Sequence, residues 1–105
     1  MIGREELHLM KAGAILINVA RGAVVDEAAV TDAVLAGHLL YGCDVYSREP
    51  LRPDHPIVRL YDCDRACLTP HMAWGSVEAR ERCVLAIADN IRAFLNGEKK
   101  NRVDK

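Results

Sequence analysis

The sequence predicts a parallel α/β domain, and three observations carry that expectation. Short apolar runs alternate with segments of helical periodicity. The first run, Ala14 to Val19, is apolar at nearly every position, as in strands buried on both faces. The order strand, helix, strand, loop, strand, helix is that of a parallel sheet with right-handed crossovers.

The elements follow in order. Arg4 to Met10 reads as a short helix, with Glu5 and Glu6 favourable at its positive N-terminal end. Gly13 suits a left-handed residue past its C-terminus. Ala14 to Val19 is the first strand. Asp26 is placed to cap the next helix, with Glu27 in the first turn. Ala29, Val30, Ala33 and Val34 share one face of that helix, and Gly37 stops it. Leu39 to Tyr46 is the second strand. Pro50, Pro53 and Pro56 make the following stretch a loop, with a turn at Asp54-His55-Pro56. Arg65 to Leu68 is a short third strand. Ser76 can cap the last helix, whose apolar stripe runs Val77, Cys83, Val84, Ile87, Ile91, Phe94, Leu95. Gly97 ends it, and a polar tail follows.

Composition narrows the function classes. The chain has 105 residues, enough for one domain with a modest core. Half of the residues are hydrophobic and 28% are charged, as in ordinary globular proteins. A formal net charge of −1 argues against a nucleic-acid or anionic-membrane partner recruited by bulk charge. No apolar run approaches the roughly 20 residues of a membrane helix. The start, Met1-Ile2-Gly3-Arg4-Glu5-Glu6, lacks the basic-then-apolar order of a signal peptide, so a cytoplasmic location is expected. Cys43, Cys63, Cys67 and Cys83 form no Cys-x-x-Cys pair and read as reduced, partly buried thiols. The alternative is a metal site at Cys63 and Cys67 with Asp62 and Asp64 nearby.

Arg21, Glu49 and His71 each fall just past the carboxyl end of one predicted strand. Ligands of parallel α/β sheets bind beyond those ends, so the pattern points to one shared site. Alone, each would read as an ordinary surface residue of a loop. His8 reads as an exposed helix residue and His55 as a turn residue.

Three stretches change that balance. They are Asn18-Val19-Ala20-Arg21-Gly22 with Val25-Asp26-Glu27, then Asp44-Val45 with Glu49-Pro50, then Thr69-Pro70-His71 with Ala73-Trp74. In order and spacing they resemble the catalytic half of the D-isomer-specific 2-hydroxyacid dehydrogenases, from about Met1 to Gly97. The resemblance implies the C-terminal part of a Rossmann-type nucleotide-binding domain, with three short strands and flanking helices. Residues 1–75 would belong to that domain, 76–97 to a closing helix returning to a substrate domain, and 98–105 to the tail. No Gly-x-Gly-x-x-Gly occurs in the sequence, so the chain looks like the last third of an enzyme.

Roles follow from the resemblance. Arg21 would bind the carboxylate and carbonyl of a 2-keto acid, for which a guanidinium fork is suited. Asp44 would accept a hydrogen bond from the nicotinamide carboxamide, and Ala20, Arg21 and His71 would complete the cofactor contacts. The cofactor would be NAD, with NADP left open. Hydride transfer builds negative charge on the carbonyl oxygen, and a positioned acid must supply a proton. His71 would be that acid. Glu49 would stabilise its charged form and fix its tautomer. Tyr46-Ser47-Arg48-Glu49-Pro50 and Ala73-Trp74 look closest to glycerate dehydrogenases, also called hydroxypyruvate reductases. The full-length parent would be a homodimer. The isolated fragment would be inactive and self-associating. A rival reading is a corepressor-type binding module of the same fold. One departure stands out: the stretch between Gly37 and Asp44 is a residue shorter than the family usually has. A one-residue slip there would turn strand side chains to the opposite face.

Overall fold

The structure is a computed structural model describing residues 1–104, and the chain divides after Ala73 into two compact units. Lys105, the end of the expected tail, lies outside the described residues.

The first unit is built on a three-stranded parallel sheet in the order β1 (Ala14–Asn18), β2 (Leu39–Cys43), β3 (Ala66–Leu68). Ala14 pairs with Leu39 and Asn18 with Cys43. Tyr41 pairs with Ala66 and Cys43 with Leu68. The β2 residues alternate regularly, with Leu39, Tyr41 and Cys43 buried and Leu40 and Gly42 on the other face. The shortening before Asp44 therefore leaves no irregularity in the strand itself.

α1 (Arg4–Leu9) and α2 (Glu27–Leu35) supply the helical layer. α2 starts where Asp26 turns its carboxylate onto the amides of Ala28 (3.1 Å) and Ala29 (3.0 Å). These are donors that the helix leaves without internal partners. Val30, Thr31 and Val34 are fully buried, and Gly37 ends the run in the left-handed region at φ +77°. Asp26→Ala should cost about 1 kcal/mol of stability, read from urea denaturation.

The core joins Leu7 of α1, Val30 and Val34 of α2, and Leu39 and Tyr41 of β2 to Ile57 and Leu60. Those last two correct the sequence reading. The stretch expected as a proline-rich loop holds a 3₁₀ helix at Pro56–Leu60 that buries both side chains. The prolines read as breakers, yet a proline at the first helical position is favourable.

Two further corrections concern the sheet. β1 is not buried on both faces: Ile15 and Ile17 are 67% and 65% exposed, while Asn18 at its end is buried. Its continuous apolar run fits two covering layers, and α2 with the 56–60 helix covers one side. β2 ends at Cys43 rather than Tyr46, because the Asp44 side chain is drawn into the loops beyond the sheet. Gly13 is left-handed at φ +76°, but it sits at the entry to β1, where its amide reaches the His38 carbonyl (2.7 Å). Met10 is the residue that closes α1.

In the second unit α3 (Val77–Leu95) is capped by Ser76, whose Oγ accepts from the Ala79 amide at 3.1 Å. Val84, Ile87, Ile91, Phe94 and Leu95 of its stripe are exposed, and Gly97 at φ +73° stops it. Among the described residues, no helix is long and apolar enough to cross a membrane. All four cysteines are reduced. Cys67 and Cys83 are exposed rather than partly buried.

Candidate active site

The chain leaves β1 through a locked turn. Buried Asn18 accepts the Ala20 amide on Oδ1 (3.2 Å) and donates from Nδ2 to the Arg21 carbonyl (2.9 Å). Arg21 is thereby presented at the surface beyond the sheet, with Nη1 donating to the Ala20 carbonyl (2.7 Å). Gly22 then passes against the loop after β2. A Cβ at Gly22 would stand 2.0 Å from both the Ser47 nitrogen and the Tyr46 carbonyl carbon. Only a residue without a side chain allows the two loops to meet.

Glu49 lies on that second loop and is held at both oxygens. Oε1 accepts the Tyr46 amide (2.9 Å), and Oε2 bonds Nδ1 of His71 at 2.7 Å. The Tyr46 hydroxyl donates to the Thr69 carbonyl (2.9 Å), tying the second loop to the third. Burial pushes the Tyr46 phenol up to about 12, so it remains a donor across the neutral range. The His71 hydrogen bond and the Tyr46 amide together hold the Glu49 carboxyl below its ordinary value, and the charge of nearby Arg21 adds to this. Glu49 is therefore anionic at neutral pH. With an anion at 2.7 Å, Nδ1 of His71 is assigned as the protonated ring nitrogen.

His71 itself takes a left-handed backbone, φ 55°, which few residues other than glycine adopt. Asp44 stabilises the segment on either side of it. This carboxylate is 3% exposed. Its Oδ1 accepts the Thr69 hydroxyl and the Met72 amide (2.9 Å), and Oδ2 accepts the Ala73 amide (2.8 Å). Burial alone would raise its pKa. The Thr69 hydroxyl and the Ala73 and Met72 amides outweigh that and bring it below the ordinary value.

Asp44→Ala leaves three donors without their acceptor and should cost about 2 kcal/mol. The sign of the pH effect follows from the lowered carboxyl. Its contribution is complete above the ordinary aspartate value and is lost as pH falls through the depressed one. Urea midpoints measured from about pH 5 down to about pH 2 should therefore fall. The fall should be shallower in Asp44→Asn.

Glu49 and His71 thus meet beyond the carboxyl ends of the strands, Asp44 holds the segment around His71, and Arg21, in the turn with Ala20, is near enough for its charge to act on Glu49. Sequence reasoning missed the groups that hold them there. Asn18 and Gly22 were legible only as motif letters. Glu27, expected as a first-turn helix residue, is buried and accepts the Ser47 amide (2.8 Å), the Ser47 hydroxyl and His55 Nε2 (3.0 Å). His55 is accordingly no mere turn residue. A groove of about 400 Å³ runs along the open sheet face from Ile15 and Ile17 to Val19, Asp44, Thr69 and Ala73 at the carboxyl edge.

Residues 1–73 match the family model described as "D-isomer specific 2-hydroxyacid dehydrogenase, NAD binding domain". Over 105 residues the chain is 43% identical to the glycerate dehydrogenase of Methylorubrum extorquens, covering 99% of this chain and 33% of that protein. It is 42% identical over 99 residues to the glyoxylate reductase of Korarchaeum cryptofilum, covering 93% of this chain and 29% of that one. Among solved structures, a D-isomer specific 2-hydroxyacid dehydrogenase from Xanthobacter autotrophicus Py2 in complex with NADPH superposes with a TM-score of 0.71. That pair is 39% identical, covering 96% of this chain and 40% of that one. The chain spans about a third of the length of the curated relatives it matches.

Proposed function

The chain belongs to the D-isomer specific 2-hydroxyacid dehydrogenase family, and on that premise we propose that it is the C-terminal third of an oxidoreductase interconverting 2-keto acids and D-2-hydroxy acids. The observation that carries this reading is the 2.7 Å bond between Glu49 and His71, with the positive charge of Arg21 beside it.

The residues fit the nicotinamide end of a dinucleotide. Three donors occupy the buried Asp44 carboxylate, and a carboxylate offers about four acceptor positions. The fourth suits a carboxamide N–H, and Val19 supplies an apolar wall in the same groove. When bound, the dinucleotide supplies the hydride.

This chain's residues do the rest. Arg21 turns from the Ala20 carbonyl to take the substrate carboxylate in a two-pronged contact, which fixes the face of the keto group presented. Protonated His71 gives the proton on Nε2 to the carbonyl oxygen as charge develops there, and Nδ1 stays bonded to Glu49. Glu49 compensates the imidazolium charge and holds the ring's orientation. In oxidation, neutral His71 takes the hydroxyl proton at the same nitrogen.

Hydroxypyruvate and D-glycerate are the substrate pair favoured by the Tyr46–Pro50 and Ala73-Trp74 segments and by the glycerate dehydrogenase relative. The parent is proposed to act as a cytoplasmic homodimer. The test is NADH oxidation by the intact protein with hydroxypyruvate, glyoxylate and pyruvate. The highest kcat/KM should fall on hydroxypyruvate, and no turnover with any of them would refute the proposal. The 105-residue chain alone should show no tight NADH binding in a fluorescence titration, because the sequence has no glycine-rich phosphate loop. Light scattering should show it associated with itself.

A further inference from the structure

Resting on the proposed role of Glu49 and His71, we infer that Glu27, Ser47 and His55 are positioning residues that set the Glu49 carboxylate on His71.

Glu27 is 9% exposed, and a buried carboxylate persists only with partners. Its partners are specific. Oε1 takes the Ser47 amide at 2.8 Å, and Oε2 takes the Ser47 hydroxyl and His55 Nε2 at 3.0 Å. Both donors of Ser47 thus end on one side chain. The N-terminal end of α2 supplies a favourable field for the charge.

The His55 tautomer is set from its other side. Nδ1 accepts the Ile57 amide at 3.3 Å and caps the 56–60 helix, so Nε2 carries the proton and donates to Glu27. His55 is anchored in turn by the fully buried Ile57 that follows it.

The chain of contacts reaches the proposed proton donor in a few steps. Ser47 follows Tyr46, whose amide holds Glu49 Oε1, and Glu49 Oε2 holds His71. Gly22 presses on the Tyr46–Ser47 peptide from the Arg21 side. The loop is therefore clamped between Glu27 and Gly22. The position of Glu49 is the geometric consequence. Glu27 bonds both Ser47 and His55, and Ser47 is the residue next to Tyr46, so the two act through Ser47.

In Glu27→Gln the side-chain NH2 takes the place of Oε2 and sets a donor against His55 Nε2–H, where an acceptor is needed, while the Ser47 hydroxyl loses its charged acceptor. The loop should loosen and Glu49 should leave Nδ1. The experiment reads the tautomer of His71 by ¹⁵N–¹H correlation on labelled protein, at alkaline pH where imidazole is neutral. The parent sequence should show His71 as the single Nδ1–H tautomer. Glu49→Ala, Glu27→Gln and the milder Ser47→Ala should each lose that signature and give a mixture. Circular dichroism identifies any variant that fails to fold, and Ser47→Ala decides if Glu27→Gln does. Folded Glu27→Gln or Ser47→Ala keeping pure Nδ1–H, while Glu49→Ala loses it, overturns the clamp alone. An unchanged His71 in Glu49→Ala overturns the pairing and the clamp together.

Discussion

Gly22→Ala is expected to destabilise the chain by about 3 kcal/mol, at the upper end of overpacking effects. The added Cβ would meet the Ser47 nitrogen and the Tyr46 carbonyl carbon at 2.0 Å and the Tyr46 oxygen at 2.6 Å. These are backbone atoms, which cannot rotate away as a flexible side chain can. Replacing glycine by alanine in a compatible helical position normally stabilises by about 0.4–1 kcal/mol through the unfolded chain. Here the clash exceeds that gain, so the sign is destabilising. Relief requires the Arg21 loop and the Glu49 loop to part. The substitution should therefore also separate Arg21 from Glu49 in the intact protein and lower the proposed activity in whatever remains folded. Urea denaturation followed by circular dichroism measures the first effect. A midpoint equal to that of the parent sequence would show that the loops do not meet in this way.

In the intact enzyme, His71→Ala should lower kcat by about 10²- to 10⁴-fold, the usual value of a positioned proton donor. KM for the keto acid should change little, because the role proposed for His71 is exercised only as charge develops on the oxygen. Arg21→Ala should do the reverse. Losing a charged, two-pronged contact of about 1.5–3 kcal/mol should raise the keto-acid KM by about 10- to 100-fold. Steady-state kinetics on the two variants separate the roles, and parallel losses in both parameters would contradict them.

Much of this arrangement was legible in the sequence, for reasons that can be named. Asp26 and Ser76 precede helical periodicity by one residue and cap as their side chains require. Gly37 and Gly97 mark helix ends because only the left-handed conformation closes them cheaply. Arg21, Glu49 and His71 were placed together by a rule about strand ends, which needs no side-chain detail. What stayed hidden depends on contacts between distant residues. Glu27 and His55 are 28 positions apart, and nothing in either local sequence says that their side chains meet. Asp44 was read for a ligand contact, whereas its carboxylate first satisfies Thr69, Met72 and Ala73. Ile57 and Leu60 sat among prolines that looked like loop punctuation. The exposed face of β1 could not be seen from an apolar run, which reports only that a strand would be covered.

The claim that this chain carries the proton donor and the substrate anchor is tested most directly by a crystal structure of the intact protein with NAD and D-glycerate bound. His71 Nε2 should lie about 2.6–3.2 Å from the C2 hydroxyl oxygen, with Nδ1 still on Glu49. The Arg21 guanidinium should have left the Ala20 carbonyl for the glycerate carboxylate. A hydroxyl oxygen bonded to another residue, with His71 out of hydrogen-bond reach, would contradict the assignment.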